Sequence, residues 1–76
     1  MILVTFYSHY GAMLMKKRMG TACKLRPVPR ALSSSCGTCA CLEGIGLDEV
    51  REAAGENLEA VYSVTDGSYT LLFRQD

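Results

Sequence analysis

A chain of 76 residues has room for one small domain, which buries only about 60% of its unfolded surface, and 49% hydrophobic residues are enough for a single core rather than a disordered segment. Eight basic and eight acidic residues cancel, which argues against binding nucleic acid or a membrane surface by bulk charge. The absence of tryptophan and the presence of only two phenylalanines also argue against a platform for stacking bases.

Ile2 to Tyr7 is a run of β-branched and aromatic residues that predicts a strand covered on both faces, hence central. Ser8 is placed to cap a helix running from His9 to Met19, with Lys16, Lys17 and Arg18 favouring its C-terminal dipole and Gly20 ending it. The methionines here are expected to fill core space. Thr21 to Val28 predicts a shorter strand stopped by Pro27 and Pro29, with Cys23 buried as a small apolar residue. A loop follows, and Thr38 to Leu42 predicts a short third strand with Cys39 and Cys41 on one face and Ala40 on the other.

Leu47 to Ala54 predicts a second helix. Leu47, Val50, Ala53 and Ala54 form its stripe, Asp48 and Glu49 suit its start, and Gly55 suits its end. Leu58 to Val64 alternates, with Leu58, Ala60, Tyr62 and Val64 expected on one face and Glu59, Val61 and Ser63 on the other. Asp66-Gly67 is a hairpin signal, and Tyr69 to Phe73 returns as an edge strand. The order β-α-β-(β)-α-β-β predicts an α+β protein, a ferredoxin-like two-layer sandwich with two helices on one face of a mainly antiparallel sheet. In that arrangement the first two strands are parallel with the third between them. The start of the first helix, with Ser8, His9 and Tyr10, is then expected near the loop carrying Cys36.

The chemistry-bearing stretch is Ser33-Ser34-Ser35-Cys36-Gly37-Thr38-Cys39-Ala40-Cys41, with Arg26, Pro27, Pro29 and Arg30 just upstream. Small residues around a thiol leave the backbone free to turn and the sulfur open to attack. One reading is an exposed Cys36 thiolate that accepts a sulfur or selenium atom, helped by Arg30, His9 and the Gly37 and Thr38 amides. A second uses the CxxC spacing of Cys36 and Cys39, with Cys39 as resolving thiol. A third is zinc or an iron–sulfur cluster on Cys36, Cys39 and Cys41, completed by Cys23 or His9. The strand-like residues after Cys36 and the lack of a second CxxC weaken the last two. Cys39 and Cys41 also read simply as small strand residues.

The stretch Pro27-Val28-Pro29-Arg30-Ala31-Leu32-Ser33-Ser34-Ser35-Cys36-Gly37 resembles the signature of the selenium/sulfur (Se/S) carrier protein-like domains, a family of small bacterial proteins. The likeness extends to the opening strand, Ser8 and the first helix. It implies that Cys36 is the carrier thiol and that Arg30, Ser34, Ser35 and Gly37 shape its site. It further implies selenium or sulfur metabolism, a carrier rather than an enzyme, and no resident cofactor. The implied partners are a donor of the cysteine desulfurase or selenocysteine lyase type and an acceptor protein. The chain departs from the family pattern at Thr38-Cys39-Ala40-Cys41, where relatives look aliphatic. No signal peptide and no apolar run of about 20 residues is visible, so a cytoplasmic protein with reduced thiols is expected. An exposed final strand leaves a homodimer through sheet edges open.

Overall fold

The computed structural model describes residues 1–75. Its elements are β1 (Ile2–Phe6), α1 (His9–Met19), β2 (Cys23–Pro27), β3 (Thr38–Leu42), α2 (Leu47–Ala54), β4 (Leu58–Thr65) and β5 (Ser68–Arg74), with short 3-10 turns at Gly20–Ala22 and Gly55–Asn57. The strands form one sheet in the order β2-β3-β1-β4-β5, and every neighbouring pair is antiparallel. β1 and β2 are therefore parallel with β3 between them, and β1 is central, as the sequence predicts. With both helices on one face of this sheet, the protein is an α+β two-layer sandwich.

The core lies between sheet and helices. Val4, Phe6, Ala40, Leu42, Leu58 and Val61 from the strands meet Ala12 and Met15 of α1 and Val50 and Ala54 of α2. Each fully buried large apolar side chain among them contributes about 1.5–3 kcal/mol. Cys23 is buried in the same cluster as a small apolar residue. α1 approaches the sheet through small residues. A Cβ at Gly11 would stand 2.7 Å from Asn57 Cβ and 3.2 Å from Phe6 Cδ1. Met15 fills core space as expected, but Met13 is exposed on the outer side of α1.

Both helices end alike. Gly20 and Gly55 adopt φ of 61° and 57°, and their N–H groups donate to the carbonyls of Lys16 and Arg51. Each left-handed glycine is followed by a 3-10 turn that leads into a strand. That turn corrects the expectation that the second strand opens at Thr21: after Gly20 the chain must turn once more, so pairing begins at Cys23. β1 likewise stops at Phe6, because Tyr7 swings out and its N–H bonds to the Asn57 carbonyl at 3.1 Å. Ser8 is at the N-cap with extended backbone, yet its hydroxyl caps nothing. The hairpin between β4 and β5 turns at Asp66 and Gly67, both at positive φ, as the Asp-Gly signal requires. Arg51 of α2 lies over the Phe73 ring at 4.2 Å and ties β5 to the helical layer.

The other sheet face carries no helix. Leu3, Cys39, Cys41, Ala60 and Tyr62 form a second cluster there, with Val28, Leu32, Val64 and Tyr69 packed against it. Cys39 and Cys41 thus share a face, and Ala40 points to the helices, as predicted. One expectation about β4 fails. Leu58 packs with Val61 on the helix side, while Ala60 and Tyr62 face the other way. The cause is a bulge: Phe6 pairs with Leu58 and Thr5 with Ala60, leaving Glu59 as the extra residue.

Candidate functional site

Cys36 sits in the connection between β2 and β3. Pro27 ends β2 because it has no N–H to continue a ladder. The Val28 N–H donates to the Gly37 carbonyl at 3.0 Å, closing the neck of the loop, and the Leu32 N–H donates to the Pro29 carbonyl at 3.0 Å, forming a turn inside it. Val28 and Leu32 drop onto the helix-free cluster. The loop therefore folds back over that sheet face instead of standing off into solvent.

Glu59 holds its far end. The bulge in β4 presents this carboxylate to the two serines before Cys36. The Ser34 hydroxyl donates to Oε1 at 2.8 Å and the Ser35 hydroxyl to Oε2 at 2.7 Å. The Ser35 N–H lies 3.2 and 3.3 Å from the two carboxylate oxygens. Ser34 Oγ also accepts the Cys36 N–H at 3.2 Å and lies 3.4 Å from the Phe6 carbonyl. Glu59 is only 7% exposed. Burial pushes its acid strength down, but the hydrogen bonds from Ser35, Ser34 and Thr5 outweigh that and hold its pKa below the usual value. Among the described residues it makes no ion pair, so its charge is balanced by hydroxyl and amide donors.

The sulfur of Cys36 accepts the Thr38 N–H at 3.4 Å. A main-chain donor aimed at sulfur supports negative charge there. The sequence leads one to expect an exposed thiol, and the structure corrects this. Cys36 is 8% exposed, because the clasp on Ser34 and Ser35 and the packing of Val28 and Leu32 draw the loop inward. Its flanking residues stay open. Ser35 and Gly37 are exposed, and a Cβ at Gly37 would meet no atom within 4 Å.

The remaining sequence candidates fall into two groups. Ser34, Ser35 and Gly37 are brought together around Cys36. Ser8, His9 and Arg30 are exposed, and their side chains make no hydrogen bond among the described residues. The expected approach to the start of α1 is made through Ser34 and the Phe6 carbonyl, two residues before Ser8, and not through His9. The Thr38 amide is where the sequence reading expects it, on the Cys36 sulfur, and Glu59 is the participant that sequence reasoning missed. For Glu59 the one signal is a carboxylate between Leu58 and Ala60, in the apolar first half of β4.

The other thiols differ in kind. All four cysteines are free. Burial pushes Cys39 up to about 12, the neighbouring Cys41 thiol adds to this, and Arg26 opposes it only weakly. At neutral pH only about one Cys39 in 10⁵ is then ionised, which makes it a poor attacking or resolving thiol. Burial also raises Cys23, against the opposing charge of Lys16. Among the described residues no three His, Cys, Asp or Glu side chains converge as a metal-binding group. A cavity of about 320 Å³ on the helix-free face, lined by Lys24, Arg26 and Cys41 among others, leaves Cys36 outside. Among the described residues no helix is long and apolar enough to cross a membrane.

No curated protein and no solved structure matches the chain. A family model does match, over residues 1–64, which run from β1 almost to the end of β4 and take in Cys36, Thr38 and Glu59. By that match the chain belongs to the family described as "Putative Se/S carrier protein-like".

Proposed function

We propose that the protein carries a sulfur or selenium atom on Cys36, between a donor enzyme of the cysteine desulfurase or selenocysteine lyase type and an acceptor protein. The observation that carries this reading is the placing of Cys36. It alone of the four cysteines lies in a loop outside the strands, between exposed Ser35 and Gly37, with the Thr38 N–H on its sulfur. Family membership supports it at the coarser level of a Se/S carrier.

The chemistry is an exchange of one sulfur–sulfur bond for another. The Cys36 thiolate attacks the terminal sulfur of the donor's persulfide. The donor's S–S bond breaks and leaves as a thiolate, which takes up the proton released by Cys36. Cys36 then holds the persulfide, and the same exchange in reverse delivers the sulfur to the acceptor's thiol. With selenium the atom transferred differs and the electron count does not. The Thr38 N–H supports the anionic sulfur, and the open side at Gly37 leaves room for the incoming group. In this reading the substrate is a sulfur or selenium atom held on another protein.

The test is a chase. The protein is loaded from radiolabelled cysteine and a desulfurase, isolated, and mixed with an acceptor thiol. Label should sit on wild type, be released by a reducing agent, pass on to the acceptor, and be absent from Cys36→Ser. Equal loading of Cys36→Ser would reject the assignment.

A further inference from the structure

We propose that the Glu59 carboxylate is a clasp that positions the carrier loop and keeps the Cys36 sulfur shielded, so that access to the thiol is set by the bonds from Glu59 to Ser34 and Ser35. Glu59 is a positioning residue: the bonds found for it run to the loop and not to the sulfur. The inference deepens the carrier reading and rests on it for its purpose, while its geometry stands alone.

Three observations converge. First, Glu59 is placed by a bulge, and a bulge is a local departure from regular pairing that re-aims a side chain. Regular alternation would have sent this carboxylate into the helix-side core beside Val61. Second, every hydrogen bond found for its two oxygens runs to Ser34 or Ser35, apart from the support of Thr5 within the sheet. Among the described residues no lysine or arginine competes for them, so the carboxylate is committed to the loop. Third, the chain of contacts ends at the thiol. Glu59 holds the Ser34 hydroxyl, Ser34 Oγ holds the Cys36 N–H, and the Cys36 sulfur then meets the Thr38 N–H. Releasing Glu59 frees the loop on the side where Ser35 and Gly37 are already exposed. The neck at Val28 and Gly37 and the packing of Leu32 remain. The opening is therefore local, and it exposes Cys36 without unfolding the sheet.

Such a clasp meets both needs of a carrier. A persulfide anion open to solvent is lost to any passing thiol, whereas a sealed one cannot be delivered. A partner that engages Ser34 and Ser35 in place of Glu59 would uncover the sulfur at the moment of contact.

The experiment measures the rate at which iodoacetamide alkylates each cysteine, read by peptide mass mapping, with Cys23 as the buried reference in the helix-side core. Glu59→Gln should raise the Cys36 rate about tenfold, equivalent to about 1.4 kcal/mol of easier opening, while Cys23, reached only when the core unfolds, stays far slower than Cys36. Removing a nearby negative charge could by itself quicken a thiol. The double variant Ser34→Ala/Ser35→Ala keeps the charge and should show the same gain, while Ser34→Thr, which keeps the hydroxyl, should stay near wild type. The double variant also keeps the test open if Glu59→Gln fails to fold. An unchanged Cys36 rate in the folded double variant overturns the proposal, and so does a Cys23 that reacts as fast as Cys36, which would mean that Cys36 is reached by general unfolding. None of these readings needs a sulfur donor, so failure of the carrier assignment and failure of the clasp are told apart.

Discussion

The stability effect of Glu59 can be worked out from its bonds. Glu59→Gln keeps the shape and one acceptor oxygen but turns the other into an amide NH₂. Of the two serine hydroxyls, now 2.8 and 2.7 Å from carboxylate oxygens, one then meets a neutral carbonyl oxygen and the other an NH₂ that cannot accept its proton, a loss of about 1 kcal/mol each. The net cost is about 2 kcal/mol near neutral pH, against a total stability of about 4–11 kcal/mol for a chain of this length. In urea, with a slope of about 1 kcal/mol per molar, the midpoint should fall by about 2 M. The pH dependence identifies the cause. The folded pKa of Glu59 lies below its unfolded value. Its contribution is therefore complete above the ordinary carboxylate range and drains away as the pH falls through the lower folded value. Once protonated, Glu59 resembles glutamine, so the gap between wild type and variant should close in acid. Taking the difference cancels the other acidic groups. A gap under about 0.5 kcal/mol near neutral pH, or one that does not shrink in acid, would refute the reasoning.

Two further outcomes follow. Gly11→Ala should lower stability by about 1–3 kcal/mol, because its Cβ would stand 2.7 Å from Asn57 Cβ, and a thermal melt with a normal midpoint would contradict the packing of α1. In native protein near neutral pH, Cys39 should resist alkylation while Cys36 reacts first, since burial holds Cys39 at about 12; rapid labelling of Cys39 would contradict its place on the sheet.

Much of the fold was legible because its signals are local. The left-handed glycines at 20 and 55 ended both helices, the Asp66-Gly67 pair made the hairpin, and period two in Thr38 to Leu42 put Cys39 and Cys41 on one face. Cys36 was legible as the singular thiol through its small neighbours. Its burial was not, because that depends on contacts between residues far apart in sequence: Val28 and Leu32 on the helix-free cluster, and Ser34 and Ser35 on Glu59. The bulge was hidden for the same reason, since it belongs to the pairing of β4 with β1 and not to β4 alone. Strict alternation groups Glu59 with Val61 and Ser63 on one face, and only the structure shows that the side of Val61 is the core. His9 and Arg30 attract attention by residue type alone, and the fold leaves both in solvent.

The most direct measurement is peptide mass mapping after incubation with cysteine and a desulfurase. The peptide holding Cys36 should gain about 32 Da that a reducing agent removes, with Cys23, Cys39 and Cys41 unmodified. The added mass on Cys39 or Cys41 with Cys36 untouched would contradict the account.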